Sequence, residues 1–150
     1  MAYCTVADVV HELHPTLELE MREYYDGKHK EDPTRPDFEA NIREHIMKAE
    51  ACANASLARA YRVPLKKATN VVVSAVCKIA TYFAVAAFGE KEEITKDKYE
   101  TAIMMLDWLV EAGNAALVDE EATGDDDKIF SGVGWGSNPR IFTDRELARW

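Results

Sequence analysis

The chain has 150 residues, 47% of them hydrophobic and 30% charged, which is the ordinary composition of one globular domain. A domain of this length buries about 70% of the surface of its unfolded chain, so it can fold without disulfides or a structural metal. The formal net charge of −9 argues against a protein that wraps nucleic acid, because basic groups to contact the phosphates are not clustered.

The first residues and the cysteines both favour a protein of the reducing cytoplasm. We expect no secretory leader, because the first residues combine neither a basic start nor an apolar core. The longest apolar stretch, residues 71–88, contains Lys78 and is short for a bilayer span, so we interpret it as the central helix of a bundle and expect no membrane partner. The odd number of cysteines and their spacing favour small buried thiols over a disulfide frame or zinc site: Cys4, Cys52 and Cys77.

Hydrophobic periodicity predicts an all-α fold, a compact bundle of four to five helices over residues 1–118. The first helix is expected to start after Thr5, a good N-cap, and to end before Pro15. A short helical piece should follow over residues 17–25. Residues 26–36 are polar and contain two prolines, which is typical of a loop.

The next helix is the most regular of the chain. Asp37 is a suitable N-cap, and Val63-Pro64 should end the helix, because the residue before a proline is pushed away from helical geometry. The apolar positions step by three or four residues, which predicts one buried stripe. This stripe contains Ile42, Ile46, Ala49, Ala53, Leu57 and Tyr61.

Two further helices complete the predicted bundle. The first spans residues 68–88, is apolar on most faces and should end at Gly89 as its C-cap. The second should be capped by Thr95 and reach about Leu117, with Gly113 permitting a close helix approach. The inward positions are expected at Val72, Val76, Ile79, Phe83 and Ala86 of the first helix and at Tyr99, Ile103, Leu106, Val110 and Leu117 of the second.

The character of the sequence changes after the bundle. Residues 119–128 contain six acidic side chains, and we predict that they form an extended, self-repelling linker. Residues 128–150 carry a net charge of +2, so the preceding 127 residues carry −11. This contrast indicates that the C-terminal segment, residues 129–150, is a separate docking arm.

The arm is too rich in large apolar side chains to be a solvated tether. It could fold back on its own bundle as a final layer, or it could reach a partner or a neighbouring copy, and we favour the partner. Tryptophan and arginine are residues that dominate interface energetics. The expected partner-binding residues are Ile129, Phe130, Val133, Trp135, Arg140, Ile141, Phe142, Arg145, Leu147, Arg149 and Trp150.

No residue pattern supports catalysis. The four histidines form neither an H-E-x-x-H motif nor a pair of E-x-x-H motifs, and the aspartate run at 125–127 lacks the alternation of a calcium loop. The glycine-rich segment 132–136 has no following helix in P-loop spacing. We therefore expect a protein that is not an enzyme, with no catalytic residues, no cofactor site and no metal site.

Four segments, taken in order, resemble one known family. They are Tyr3-Cys4-Thr5-Val6-Ala7-Asp8-Val9, Ala58-Arg59-Ala60-Tyr61-Arg62-Val63-Pro64-Leu65, Lys98-Tyr99-Glu100-Thr101-Ala102 and Arg140-Ile141-Phe142-Thr143-Asp144-Arg145-Glu146-Leu147. Together they resemble the Mu-like phage head–tail connector family, whose members are neck adaptor or head-completion proteins. The junction Y-x-V-P-L after a long helix is the most distinctive of the four.

The resemblance implies a structural protein of the virion neck, made in the host bacterial cytoplasm. Related adaptors form a ring, expected here to have twelve copies, between the portal protein and a tail-side neck or tail terminator protein. A C-terminal extension clasps the portal, and DNA passes through without specific binding. An alternative function, drawn from the charge of the body alone, is an acidic regulator or DNA mimic that binds a basic partner.

Overall fold

The structure of the chain is a computed structural model that describes residues 2–89 and 93–113. These residues contain five α-helices and no strand, so the predicted all-α bundle is confirmed for this part of the chain. The predicted acidic linker and docking arm lie outside the described residues. The helices are α1 (Val6–Glu12), α2 (Pro15–Glu31), α3 (Phe38–Leu57), α4 (Asn70–Phe88) and α5 (Glu93–Ala112).

Helix α4 occupies the centre of the bundle, as its apolar composition predicts. Thr69 caps its start by accepting a hydrogen bond from the backbone N–H of Val72, and Gly89 ends it in the left-handed region with φ 93°. Helices α1, α3 and α5 all pack against it. Its buried side chains are Val72, Ala75, Val76, Cys77, Ile79, Ala80, Thr81, Ala84 and Val85.

Among the described residues, α4 is also the one helix long and apolar enough to cross a membrane by length and composition. Half of its apolar stretch is nevertheless buried inside the protein, where α1, α3 and α5 pack against α4. Its buried Thr81 hydroxyl donates to the carbonyl oxygen of Cys77 at 2.8 Å, so the core position carries no unsatisfied donor. We therefore describe α4 as the core helix of the bundle.

The polar loop predicted over residues 26–36 is wrong in its first half, because α2 continues to Glu31. Helix α2 also begins earlier than expected, with Pro15 at its first position, where a proline needs no backbone N–H partner. The extension has a tertiary cause: the Asp26 carboxylate accepts from the backbone N–H of Phe38 at 3.0 Å and joins α2 to the start of α3. Local polarity alone could not show this contact.

The end predicted for the third helix is also wrong: α3 ends at Leu57, well before Val63-Pro64. The chain turns after Leu57. The Tyr61 side chain, which is only 1% exposed, packs inward and donates a hydrogen bond near the end of α5. The predicted buried stripe is confirmed throughout, since all six of its positions are buried. They are Ile42, Ile46, Ala49, Ala53, Leu57 and Tyr61.

Helix α5 differs most from the prediction. It begins at Glu93, so Thr95 is not its N-cap but a buried side chain within the helix. Gly113 does not permit a close helix approach, because a Cβ built there would meet nothing within 4 Å; its φ of 62° instead marks the turn after the helix. Of the predicted inward positions, Leu106 is buried, and Tyr99, Ile103 and Val110 are partly buried and pack against the core. The buried residues of α5 are Thr95, Ala102, Leu106 and Leu109.

Candidate docking surface

The N-terminal segment is fastened to the middle of the bundle by one side chain, Tyr3. Its backbone N–H donates to the carboxylate of Glu50, and its hydroxyl donates to Asn54 Oδ1 at 2.5 Å. The same hydroxyl oxygen accepts from the backbone N–H of Leu65 at 2.8 Å. We call Tyr3 with Glu50, Asn54 and Leu65 the Tyr3 lock; it joins the first distinctive sequence segment to the last residue of the Y-x-V-P-L junction.

The first residue of that junction holds the end of α5. The Tyr61 hydroxyl donates to the carbonyl oxygen of Leu109 at 2.7 Å and also lies in hydrogen-bonding contact with the carbonyl oxygen of Gly113. Carbonyls in the last turn of a helix have no partner within the helix, so a buried hydroxyl stabilises them. Burial raises the pKa of Tyr61, which keeps the hydroxyl protonated as a donor. We call this arrangement the Tyr61 latch.

A third group of contacts joins α1 to α4 and α5 through Glu12. Its carboxylate lies 2.8 Å from Lys98 Nζ and 3.5 Å from Lys78 Nζ, and Lys98 also donates to the Glu12 carbonyl oxygen at 3.0 Å. The hydrogen bond from Lys98, with the nearby charges of Lys78 and Lys98, lowers the pKa of Glu12. Lys98 belongs to another of the distinctive segments. These segments therefore supply side-chain contacts that hold the helices of the bundle together.

On the opposite side of α5, three large apolar side chains are exposed within residues 93–113. Ile94, Met104 and Trp108 are 69%, 72% and 55% exposed, although large apolar side chains are costly to leave in water. Ile94, Thr101 and Trp108 recur every seven residues, and Met104 lies one turn from Trp108. Exposed apolar side chains gathered on one side of a helix often mark a surface that binds another protein. We call these four residues the α5 outer face.

Acidic side chains border this face. Asp97, Glu100 and Glu111 are exposed beside it, and Asp107 forms an ion pair with Arg59 at 2.6 Å across the gap between α5 and the α3–α4 connection. A partly polar rim around an apolar centre is the usual anatomy of a protein interface. The arrangement fits a protein partner that presents its own apolar side chains, with basic groups at the margin.

The eleven arm residues expected to bind a partner lie outside the described residues. The last residue that the structure describes is Gly113, just after α5, and the Tyr61 latch holds it. The α5 outer face was missed in the sequence, although the signal is present. Trp108 lies about 200° around the helix from the buried Leu106, since successive residues turn by about 100°.

The histidines and cysteines of the described chain do not gather into a metal-binding group. Within residues 2–89 and 93–113 there is no cluster of three or more histidine, cysteine, aspartate or glutamate side chains arranged to hold an ion. His45 is buried, and burial with the nearby Lys48 charge lowers its pKa.

Comparison with known proteins gives one informative match. The family model described as Bacteriophage Mu, Gp36 matches residues 3–128, most of the chain and all five helices. A search of curated proteins found no match. The matched range includes the Tyr3 lock, the Tyr61 latch and the α5 outer face. The chain therefore belongs to the bacteriophage Mu Gp36 family and is a protein of a Mu-like phage.

Proposed function

We propose that the protein is a subunit of the virion neck, a head–tail adaptor that docks on the portal protein and links it to the tail side. The observation that carries the proposal is the α5 outer face, an exposed apolar surface on the last helix that the structure describes. A phage protein with such a surface and such an arm fits a structural role in assembly. The proposal contains no catalytic step.

The two surfaces take two partners. The α5 outer face binds a helix of a neighbouring copy, because exposed Ile94, Met104 and Trp108 lie on one side of the helix and can pack against an apolar helix surface. Copies joined head to tail, with the α5 outer face of one copy against a different surface of the next, close into a ring, and the expected number is twelve. The arm, residues 129–150, binds the portal through its aromatic and arginine side chains, including Trp135, Phe142 and Arg145.

The bundle's other properties suit this place in the particle. The chain is acidic overall, so a channel formed by its copies repels DNA phosphates and lets DNA pass without holding it. The tail-side partner, a neck or tail terminator protein, would contact the ring on the face away from the portal. The protein is made in the host cytoplasm and becomes part of the virion.

Mass photometry with the portal protein of the same genome tests the proposal. The full-length chain should add the mass of a ring to the portal, and a 1–128 truncation should add none. Trp108→Ser should lower the number of copies bound, while Lys30→Ser, an exposed change on α2, should have no effect. Binding of the truncation at full stoichiometry would overturn the role of the arm. Salt-sensitive binding to a basic protein, with no portal binding, would favour the DNA-mimic alternative.

A further inference from the structure

The connection between α3 and α4 is strongly basic, although the protein is acidic. Residues 58–69 contain four basic side chains and no acidic one, so this segment has a charge of +4 and the other 138 residues carry −13. All four basic side chains are exposed: Arg59, Arg62, Lys66 and Lys67. Basic groups are therefore clustered here, which the net charge of the whole chain conceals. We call residues 58–69 the basic connection.

Contacts with α5 and with the N-terminal segment hold the backbone of the basic connection in place. The buried Tyr61 donates to a carbonyl oxygen in the last turn of α5 at 2.7 Å, and the backbone N–H of Leu65 donates to the Tyr3 hydroxyl at 2.8 Å. Arg59 lies 2.6 Å from Asp107. A surface whose backbone is already fixed loses less conformational entropy when it binds a partner.

The C-terminal end of the described chain touches this connection. The carbonyl oxygen of Gly113 lies in hydrogen-bonding contact with the Tyr61 hydroxyl. The acidic linker, residues 119–128, begins six positions after Gly113 and contains six acidic side chains. Six residues of extended chain span about 20 Å at most. Lys66 is only five positions from Tyr61, so the basic side chains lie within reach of the linker.

We propose that the basic connection is a docking surface for the acidic linker of the same chain, which lies outside the described residues. This site goes beyond the proposed neck function and does not depend on it. The two segments have opposite charge, and the six acidic side chains repel one another unless positive charges lie beside them. Single exposed ion pairs contribute little, but several charges of each sign can act together as a network.

The tether favours the linker over other acidic segments. A segment joined to its site by a few residues has an effective concentration on the order of millimolar. A second copy of the chain, with its acidic side chains on α5, must first give up translational and rotational freedom. The α5 helix of the same chain supplies Asp107, which already pairs with Arg59. The remaining basic side chains are the ones that the linker contacts.

Docking of the linker would give the arm a defined starting point. The arm, residues 129–150, follows the linker directly. Sixteen extended residues can span about 55 Å from Gly113 to the first residue of the arm. A linker bound at the basic connection instead starts the arm beside the Tyr61 latch.

The test joins neighbouring lysines and carboxylates in the full chain with a water-soluble carbodiimide, which forms an amide bond without a spacer. Peptide mass spectrometry then identifies each joined pair. We expect carboxylates of the acidic linker to be joined to Lys66 or Lys67, and several-fold less often to Lys30, an exposed lysine at the end of α2. Lys48 lies 2.6 Å from Glu44 and should be joined to it in every sample, which shows that the reagent has worked.

Salt and charge reversal should both release the linker. Raising the salt from about 0.1 M to about 1 M shortens the Debye length from about 10 Å to about 3 Å, so the yield at Lys66 and Lys67 should fall several-fold. Arg62→Glu leaves both lysines in place and should lower the same yield at low salt. Lys30→Glu makes the same change of charge on α2 and is the matched control, with no loss expected. Circular dichroism should show equal helix content in both variants.

A mixture of unlabelled and heavy-isotope-labelled chains identifies which chain supplies the linker. Joined peptides that carry a single kind of label come from one chain, as proposed, whereas mixed labels would show that a second copy occupies the surface and would overturn the proposal. Lysines 66 and 67 joined only to α5 carboxylates such as Glu111, or a yield unchanged by salt and by Arg62→Glu, would overturn it too. Portal protein plays no part in this experiment, so its outcome is independent of the neck proposal.

Discussion

The Tyr3 lock and the α5 outer face place their side chains in opposite environments. In the lock, polar groups are taken out of water and each finds a partner: the Tyr3 hydroxyl both donates to Asn54 and accepts from Leu65. On the outer face, Trp108 and Met104 stand in water without covering. The Tyr3 lock stabilises the folded chain, whereas the α5 outer face contributes stability only when another surface binds it.

This difference separates stability from binding within one small bundle. A buried hydrogen-bonding group is expensive to remove, because its former partner is left unsatisfied at a cost of about 1–3 kcal/mol. An exposed side chain contributes little to folding, and its replacement changes stability by about 0.5 kcal/mol or less. Substitutions in the two regions should therefore fall into two classes, which can be measured on the free chain.

The largest effect is expected at the Tyr61 latch. Tyr61→Ala removes a fully buried ring and its hydrogen bonds, and should lower the free energy of unfolding by about 4 kcal/mol. Tyr61→Phe keeps the ring and should cost about 1–2 kcal/mol through the unsatisfied carbonyls alone. Urea denaturation followed by circular dichroism measures both. Equal losses for the two variants would show that the hydroxyl, and not the ring, carries the contact.

The Tyr3 lock should give the next effect. Tyr3→Phe leaves the backbone N–H of Leu65 and the amide of Asn54 without their hydroxyl partner, and we expect a loss of about 2 kcal/mol. Tyr24→Phe, an exposed tyrosine on α2, is the matched control and should cost less than about 0.5 kcal/mol. If the two variants unfold at the same urea concentration, the lock does not stabilise the fold.

Glu12 should contribute less, and its contribution should depend on pH. Because the folded state lowers the pKa of Glu12 below its ordinary 4.5, the stabilisation is fully present above that value and is lost as the pH falls through the lower folded pKa. Glu12→Gln should cost about 1 kcal/mol at pH 7. The gap in melting temperature between the two proteins should close in acid. A constant gap down to pH 2 would contradict the assignment.

The smallest effect on the free chain is expected at the α5 outer face. Trp108→Ser should change the free energy of unfolding by about 0.5 kcal/mol or less, yet it should weaken association between copies. Analytical ultracentrifugation over a range of concentrations measures the association, and Tyr24→Phe again serves as the control. A large loss of stability with unchanged association would place Trp108 with the lock and remove the contrast between the regions.

The regular features of these helices can largely be predicted from the local sequence. The stripe of α3 and the glycine that ends α4 follow from spacing and from the special conformation of glycine, which need no knowledge of neighbours. The length of α2 and the end of α3 depend instead on contacts between distant residues, Asp26 with Phe38 and Tyr61 with Leu109. Such contacts leave no periodic trace in the sequence.

The candidate surfaces divide in the same way. The arm is visible in the sequence as an unusual composition, and the α5 outer face could have been found from the position of Trp108 relative to Leu106. The Tyr3 lock could not, because a tyrosine near the start of a chain says nothing about which backbone amide its hydroxyl will reach. The portal-binding role of the arm stays a prediction.

The residues that Tyr3 and Glu12 contact lie far from them in the sequence, and this has a consequence for biosynthesis. Tyr3 and Glu12 leave the ribosome before their partners, which follow 47 to 86 positions later. At about 5–20 residues per second, the start of the chain waits several seconds for α3, the junction and α5 to emerge. The N-terminal segment is therefore secured only after residues far downstream in the sequence have been made.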